Sequence, residues 1–166
     1  MMLERTLVLI KPDAVKRGLI GRILTRFEDA GLKVVGSKMI WMDRALGQKH
    51  YEDVGQVSKR RGEKVLQVLL NFMSSGPVMA LCLEGISVVD NVRKLCGTTE
   101  PKQALPGTIR GDFSHVSFAH ADTTGKAIEN VVHASGSVEE AKLEIALWFD
   151  PEELHTYKTV HEVHVF

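Results

Sequence analysis

The sequence predicts an α+β fold, a ferredoxin-like α/β sandwich in which helices pack on one face of an antiparallel sheet, built as a single domain. Its 166 residues, 44% hydrophobic and 25% charged, have the size and composition of one globular domain. Short apolar runs alternate with segments of helical periodicity along the chain. No linker-like segment divides it, so we expect one domain over residues 1–166, with the strand order left open.

The first half of the chain predicts two strand-helix pairs. Residues 6–10 are a continuous apolar run, typical of a buried strand, and Pro12 follows its end. The apolar face of the next helix contains Ile20, Ile23, Leu24 and Phe27, and Gly31 ends that helix. The apolar and β-branched segment 33–42 predicts a second strand. Asp43 is then placed to cap a helix that runs through Leu46, His50 and Tyr51.

The second half continues the alternation up to a long irregular segment. A charged stretch, 58–64, precedes a helical pattern through Val65, Leu69 and Phe72, and the apolar segment 78–83 predicts a third strand. Ser87 is a candidate cap for a helix through Val88, Val92 and Leu95. Residues 98–112 lack periodicity, and loops of that length are usually functional or disordered. A short strand near Val131 follows, and the tail after residue 156 predicts an exposed or interface strand.

The charge balance and the cysteines exclude several classes of function. With 21 basic and 21 acidic residues the formal net charge is zero, so no overall field attracts nucleic acid or an anionic membrane. No apolar run approaches the roughly 18 residues of a membrane-spanning helix, and we expect a cytoplasmic protein. Cys82 and Cys96 have no metal-ligand spacing, and the seven histidines have no matching partners. The sequence therefore predicts no dedicated metal site.

The segment 130–137 is the strongest candidate for a reactive site because it places His133 just ahead of a helix. Ser137 and Glu140 have the spacing of a capping box, and the following apolar residues, Val138, Ala141, Ile145 and Trp148, recur at helical spacing. The positive end of that helix favours an anion. Glu144, further along the helix, is placed to orient the imidazole. The pattern predicts a nucleophile, an orienting carboxylate and an anion site.

Cationic and hydroxyl-bearing residues elsewhere supply what a phosphoryl group needs. Lys11 stands at the exit of the first strand, and Arg93 and Arg110 flank the long irregular segment. Tyr51 and Thr99 add hydroxyl donors. Each alone is an ordinary surface or turn residue, but together they favour phosphoryl transfer through a histidine.

The chain resembles the nucleoside diphosphate kinase family along nearly its whole length. The matching segments follow the family's order and are residues 6–15, 17–21, 50–51, 75–77, 84–85, 106–113, 130–137, 144–149 and 151–154. The resemblance implies Mg²⁺-dependent ping-pong transfer of the γ-phosphoryl group from a nucleoside triphosphate to a nucleoside diphosphate. The intermediate would be a phosphohistidine on His133.

The resemblance also implies roles for individual residues. The catalytic residues would be His133, Glu144, Lys11 and Ser135, with Glu144 holding the imidazole and Ser135 assisting beside it. The nucleotide-binding residues would be Lys11, Tyr51, Val65, Arg93, Thr99, Arg110 and Asn130, the last contacting the sugar hydroxyls together with Lys11. Mg²⁺ would be carried on the nucleotide phosphates. The substrates would be ATP, GTP, ADP, GDP and their deoxy forms, and the protein would form a homo-oligomer, a tetramer or a hexamer.

Three departures from the family pattern bear on function. The family motif usually reads Asn-x-x-His-Gly-Ser-Asp-Ser, whereas this chain has Ala134 and Gly136 in place of the glycine and the aspartate. Val65 occupies the place of a phenylalanine that stacks on the base, which predicts looser nucleotide binding with little choice among bases. An inserted, exposed loop is predicted around 118–126, bordering either the nucleotide mouth or a neighbouring subunit.

Two other functions are compatible with the predicted fold. A nucleotide-binding or regulatory module that no longer turns over is one, motivated by Gly136 and Val65. An RNA-binding ferredoxin-like domain is the other, but it requires exposed aromatic residues on the sheet and a basic face. The ten aromatic residues and zero net charge disfavour nucleic acid as a partner.

Overall fold

The computed structural model describes residues 3–165 and has a four-stranded antiparallel sheet at its centre. The strands are β1 (Leu3–Ile10), β2 (Lys33–Trp41), β3 (Pro77–Ile86) and β4 (Val132–Ala134). Their order is β2-β3-β1-β4, and each neighbouring pair is antiparallel. The α+β sandwich predicted from the sequence is confirmed.

The helices occupy most of the chain between the strands. In chain order they are α1 (Pro12–Lys16), α2 (Ile20–Glu28), α3 (Arg44–Gln48), α4 (Val57–Arg61), α5 (Glu63–Met73), α6 (Val88–Cys96), α7 (Ile109–Phe113), α8 (Phe118–Thr124), α9 (Val138–Trp148) and α10 (Glu162–Val165). A π-helical turn, Lys49–Val54, extends α3, and 3₁₀ turns lie at Pro101–Gln103 and Pro151–Glu153. None of the helices in the described chain has the length and apolar character needed to cross a membrane.

Helices cover both faces of the sheet, so the prediction of a single covered face is wrong. Along β1, Val8 and Ile10 pack into a cluster with α2, α6 and α7, whereas Leu7 and Leu9 pack into a second cluster with α5 and α9. All four side chains are fully buried. The physical reason is visible in the sequence, because a strand that is apolar at every position, rather than at every second one, is buried on both faces.

Three local predictions also need correction. The segment predicted as a loop around 118–126 contains helix α8, which Ser117 caps by accepting a hydrogen bond from the backbone N–H of His120. Ser87 does not cap α6 through its side chain; instead its backbone is left-handed, with φ of 47°. The tail is not a strand. Its Tyr157 hydroxyl donates to the Val34 carbonyl, α10 follows, and residue 166 lies outside the described residues.

The short strand β4 fixes the position of the predicted nucleophile. His133 lies directly opposite Leu9 in the β1–β4 register, and the backbone N–H of Lys11 donates to the Val131 carbonyl at 2.9 Å. The side chains of Lys11 and His133 therefore project from adjacent strand ends. Val131 has a φ of 63°, which is strained for a β-branched residue. The Asp13 carboxylate accepts a hydrogen bond from the backbone N–H of Val131 and so supports this turn.

Candidate active site

A cleft of about 510 Å³ opens beside β4 and the start of α9. Nine of the ten predicted site residues line it, namely Lys11, Tyr51, Val65, Arg93, Thr99, Arg110, Asn130, His133 and Glu144. The tenth, Ser135, is completely buried behind the cleft wall. The structure thus brings together residues from six separate stretches of the chain.

A buried carboxylate orients the His133 imidazole. Glu144 Oε1 lies 2.8 Å from His133 Nε2, and Glu144 Oε2 accepts a hydrogen bond of 2.6 Å from the Ser135 hydroxyl. Burial raises the pKa of Glu144, but the contacts with His133, His50 and Ser135 together lower it more, so the carboxyl stays ionised. Because an ionised carboxylate only accepts, Nε2 carries the ring proton and Nδ1 presents a lone pair. Ser135 therefore acts on the carboxylate and not on the cleft.

The reasoning from sequence missed the part that His50 plays in this network. His50 is 1% exposed, and its Nδ1 accepts a hydrogen bond of 3.1 Å from the Trp148 indole. Its ring packs edge-on against the His133 ring, with the centroids 4.7 Å apart. Burial lowers the pKa of His50 to about 3, so it is a neutral packing partner. The sign of it in the sequence was the segment 50–51, which matches the family pattern.

Lys11 and Asn130 form a buried polar pair at one wall of the cleft. The Lys11 ammonium donates to Asn130 Oδ1 at 2.6 Å, and Asn130 Nδ2 donates to the Thr99 carbonyl at 2.7 Å. Burial, followed by the nearby Arg110 charge, lowers the pKa of Lys11 to about 8. A poorly solvated ammonium that is still charged at pH 7 attracts an anion strongly.

The buried ammonium predicts a pH-dependent stability that the substitution Lys11→Met should remove. The pKa of Lys11 is about 8 when folded and ordinarily 10.5, so between these values the unfolded chain binds more protons. Its contribution to the free energy of unfolding therefore rises with pH, by about 1 kcal/mol from pH 7 to pH 9. Urea unfolding at both pH values should show this rise in the wild type and in the exposed-lysine control Lys94→Met, but not in Lys11→Met. Equal slopes in all three proteins would contradict the prediction.

The two predicted arginines occupy different environments. Arg110 is buried and donates to three backbone carbonyls, those of Gly97 at 2.7 Å, Asn130 at 3.3 Å and Val132 at 2.8 Å. It therefore holds both sides of the cleft together besides contributing charge. Arg93 is exposed and makes no ion pair with any described carboxylate. Its guanidinium is available to a ligand.

Tyr51 supplies a hydroxyl to the same cleft. The ring is 6% exposed, and the hydroxyl oxygen is buried with no hydrogen-bond partner among the described residues. Burial raises the pKa of Tyr51, so the group remains a neutral donor. An unpaired buried donor costs free energy, and a ligand oxygen would satisfy it.

Val65 stands between the first cleft and a second cavity of about 590 Å³. Arg61, Val65 and Leu69 line both spaces. Phe118 and Ala121 of α8 line the second cavity, and the Arg61 guanidinium lies 5.5 Å from the centre of the Phe118 ring. The segment predicted as an insertion therefore forms a wall beside the cleft mouth. Val65 itself is 39% exposed.

Comparison with known proteins identifies the family of the chain. The family model for nucleoside diphosphate kinase matches residues 4–154. A nucleoside diphosphate kinase of Pyrococcus furiosus is 50% identical over 154 residues, covering 93% of this chain and 88% of that protein.

Two of the solved structures that match the chain illustrate the similarity. The first, a transition-state mimic of the Borrelia burgdorferi nucleoside-diphosphate kinase with bound vanadate and ADP, gives a TM-score of 0.96 at 45% identity and covers 99% of this chain and 98% of that one. The second, a halophilic nucleoside diphosphate kinase from Halobacterium salinarum in complex with CDP, gives a TM-score of 0.84 at 38% identity and covers 99% of both chains. The resemblance inferred from the sequence motifs is confirmed, and the chain belongs to the nucleoside diphosphate kinase family.

Proposed function

We propose that the chain transfers the γ-phosphoryl group of a nucleoside triphosphate to a nucleoside diphosphate through a phosphohistidine on His133. The observation that carries the proposal is the 2.8 Å contact between His133 Nε2 and the buried Glu144. It leaves Nδ1 as the nucleophilic nitrogen in a cleft lined by cations. A site without turnover has no need for a buried ion network behind a histidine, which argues against a purely regulatory module.

The transfer is a pair of in-line displacements. The Nδ1 lone pair of His133 attacks the γ-phosphorus, the bond from phosphorus to the bridging oxygen breaks, and its electron pair leaves with the nucleoside diphosphate. A β-phosphate oxygen of the second nucleotide then attacks the same phosphorus, and the N–P electron pair returns to Nδ1. Lys11, Arg93 and Arg110 neutralise the phosphate oxygens in both steps. Since the bonds exchanged are nearly equal in energy, positioning and charge neutralisation carry the rate.

The donor chemistry of the cleft fits Mg²⁺ carried on the nucleotide. Among the described residues, one group of three histidine or acidic side chains is close enough to share a metal, His50, His133 and Glu144. Two of these donors are nitrogens, and the carboxylate is already engaged, whereas Mg²⁺ prefers oxygen ligands. When bound to the phosphates, Mg²⁺ supplies further charge neutralisation. The nearby cations and the Tyr51 hydroxyl hold the oxygens that it leaves free.

The base binds against Val65, and an aliphatic contact there gives weak stacking. Val65→Phe should therefore tighten nucleoside diphosphate binding about three- to tenfold, because aromatic stacking adds about 1 kcal/mol. Titration calorimetry with ADP, GDP and CDP measures it. Val65→Leu is the control, since it adds aliphatic area without a π-face, and an affinity in Val65→Phe no higher than in Val65→Leu would contradict the assignment.

A homo-oligomer, tetramer or hexamer, fits the exposed edge of the sheet. The tail covers the start of the edge strand β2, where the backbone N–H of His155 donates to the Val35 carbonyl. Further along β2, Met39 and Trp41 are 53% and 67% exposed. An uncovered edge with large apolar side chains is a ready site for a second copy. Sedimentation velocity should give the mass of four or six chains, and a single-chain mass at micromolar concentration would refute the assembly.

A cytoplasmic location stays a prediction from the sequence.

Labelling with [γ-³²P]ATP and Mg²⁺ tests the proposed reaction directly. The protein should become phosphorylated in an acid-labile, alkali-stable form, and addition of GDP or CDP should discharge the label as the corresponding triphosphate. Label that resists acid, or that no diphosphate removes, would overturn the proposal.

A further inference from the structure

The turn after the nucleophile is closed by a glutamate side chain from the first turn of α9. The backbone N–H of Gly136 donates to Glu140 Oε2 at 2.8 Å, while the backbone N–H of Glu140 donates to the Ser137 hydroxyl at 3.1 Å. In the capping box predicted from the sequence, the Glu140 side chain would accept a hydrogen bond from the backbone N–H of Ser137. In the structure the carboxylate reaches one residue further back, to the turn that joins β4 to α9. The N–H of Gly136, just before the N-cap of α9, is thus satisfied by a side chain of the protein itself.

Glycine at position 136 leaves room for the Glu140 side chain, and its backbone conformation is open to other residues. A Cβ atom added to Gly136 would lie 2.3 Å from Glu140 Oε2, far inside van der Waals contact, although the glycine φ is not in the left-handed region. The Glu140 carboxylate therefore occupies the volume where a side chain of residue 136 would be. An aspartate at that position would place its own carboxylate in the same space.

The carboxylate also faces the phosphate side of the site. Glu140, Gly136 and Arg93 all line the cleft, and the same added Cβ would lie 3.8 Å from Arg93 Nη1. A negative charge at the rim of a phosphate-binding cleft repels the substrate, so its presence there calls for a structural reason. Here it stands across from an exposed guanidinium that forms no ion pair with any described carboxylate. Opposite charges on the same rim attract each other even beyond ion-pair distance.

We propose that Glu140 is a positioning residue for phosphoryl transfer, supplying the carboxylate that position 136 lacks. It fixes the turn behind His133 through the N–H of Gly136 and orients Arg93 by charge. The inference rests on the proposed function, since it assigns a role within the same site. Two substitutions separate its two contributions, because a glutamine keeps the acceptor for the N–H of Gly136 but not the charge, and an alanine keeps neither.

Steady-state and single-turnover kinetics on four variants test the proposal. Glu140→Gln should raise KM for ATP about three- to tenfold and leave kcat within twofold, because only the orientation of Arg93 is lost. Glu140→Ala should lower kcat/KM at least tenfold and also slow phosphohistidine formation. Gly136→Asp alone should be impaired because two carboxylates then compete for one space. The double variant Gly136→Asp/Glu140→Ala should recover to within threefold of the wild type, since one carboxylate is back in place.

The control is Glu139→Gln, which removes the same charge from an exposed position in the same helical turn and should change neither KM nor kcat. Thermal unfolding shows that each variant is folded, and Glu140→Gln remains informative if the alanine variant is unstable. Unchanged kinetics in both Glu140 variants, or a double variant no better than Glu140→Ala, would overturn the proposal. Absence of phosphohistidine in the wild type would instead refute the proposed function, so the two failures are distinguishable.

Discussion

Replacing His133 with glutamine should abolish nucleotide exchange and leave the fold intact. The imidazole is the sole group in the cleft that combines an unprotonated nitrogen with a buried carboxylate on its other nitrogen, among the residues that the structure describes. Glutamine matches its polarity and approximate reach but has no basic lone pair, so no phosphoenzyme forms. We expect kcat to fall at least about a thousandfold, as when a covalent nucleophile is removed. Since the side chain of His133 is 19% exposed at the cleft wall, the cost in stability should be small.

A coupled assay with ATP and a second nucleoside diphosphate measures the loss, and circular dichroism with thermal unfolding checks the fold. The control is His120→Gln, which changes an exposed histidine of α8 in the same way and should keep wild-type turnover. Substantial residual exchange in a folded His133→Gln protein would show that another group carries the phosphoryl. The assignment of the nucleophile would then be wrong.

The elements with a strong apolar period were predictable from the sequence. Both β1 and β3 appear as continuous apolar runs, and the helices α2, α5 and α9 appear as amphipathic patterns. The covering of both sheet faces could also have been predicted from the sequence, because continuous apolar runs indicate strands that are buried on two faces. The short helices α4 and α8 were missed, since one or two turns present too few apolar positions to show a period. Ser117, the cap of α8, is recognisable only once the helix is known.

In the active site, too, the features that depend on a local sequence pattern were predictable and those that depend on long-range packing were not. His133 and Glu144 are recognisable because they share one helical segment and its cap, whereas the cleft depends on pairing β4 with β1, a contact across more than a hundred residues. The hydrogen-bond partners of the site side chains could not be predicted from the sequence either. Ser135 points at Glu144 rather than at the ligand space, and Glu140 reaches Gly136 rather than Ser137. Such details follow from packing, which spacing in a sequence does not encode.

The structure does not support the alternative of an RNA-binding domain, because the sheet has no open face. RNA recognition on a ferredoxin-like sheet stacks bases on aromatic side chains of an open sheet face. Both faces of this sheet are covered by helices within residues 3–165, and the buried strand side chains are aliphatic at Leu7, Val8, Leu9 and Ile10. A concave surface with clustered cations lies in the cleft beside β4, and its volume suits a single nucleotide.

Exchanging Arg110 for lysine should cost both stability and activity, although the charge is kept. The guanidinium spans the carbonyls of Gly97, Asn130 and Val132 with three separate N–H groups, and it is only 8% exposed. A lysine ammonium is a single point donor that cannot reach both walls of the cleft at once, so at least one buried carbonyl is left unpaired. We expect the free energy of unfolding to fall by about 2–4 kcal/mol, which lowers Tm by roughly 5–10 °C.

The matched substitution Arg93→Lys separates the wall contacts of Arg110 from simple charge. Because Arg93 is exposed and lacks the carbonyl contacts, its lysine variant should keep the wild-type Tm and show only a higher KM for ATP, from the loss of two-pronged phosphate binding. Arg110→Lys should instead lower kcat together with Tm, since the walls that align His133 and Asn130 separate. Urea unfolding and steady-state kinetics on both variants make the comparison. If Arg110→Lys unfolds like the wild type and changes KM alone, Arg110 is only a phosphate ligand, and the cleft walls must be held together by the β1–β4 pairing and the Lys11–Asn130 hydrogen bond.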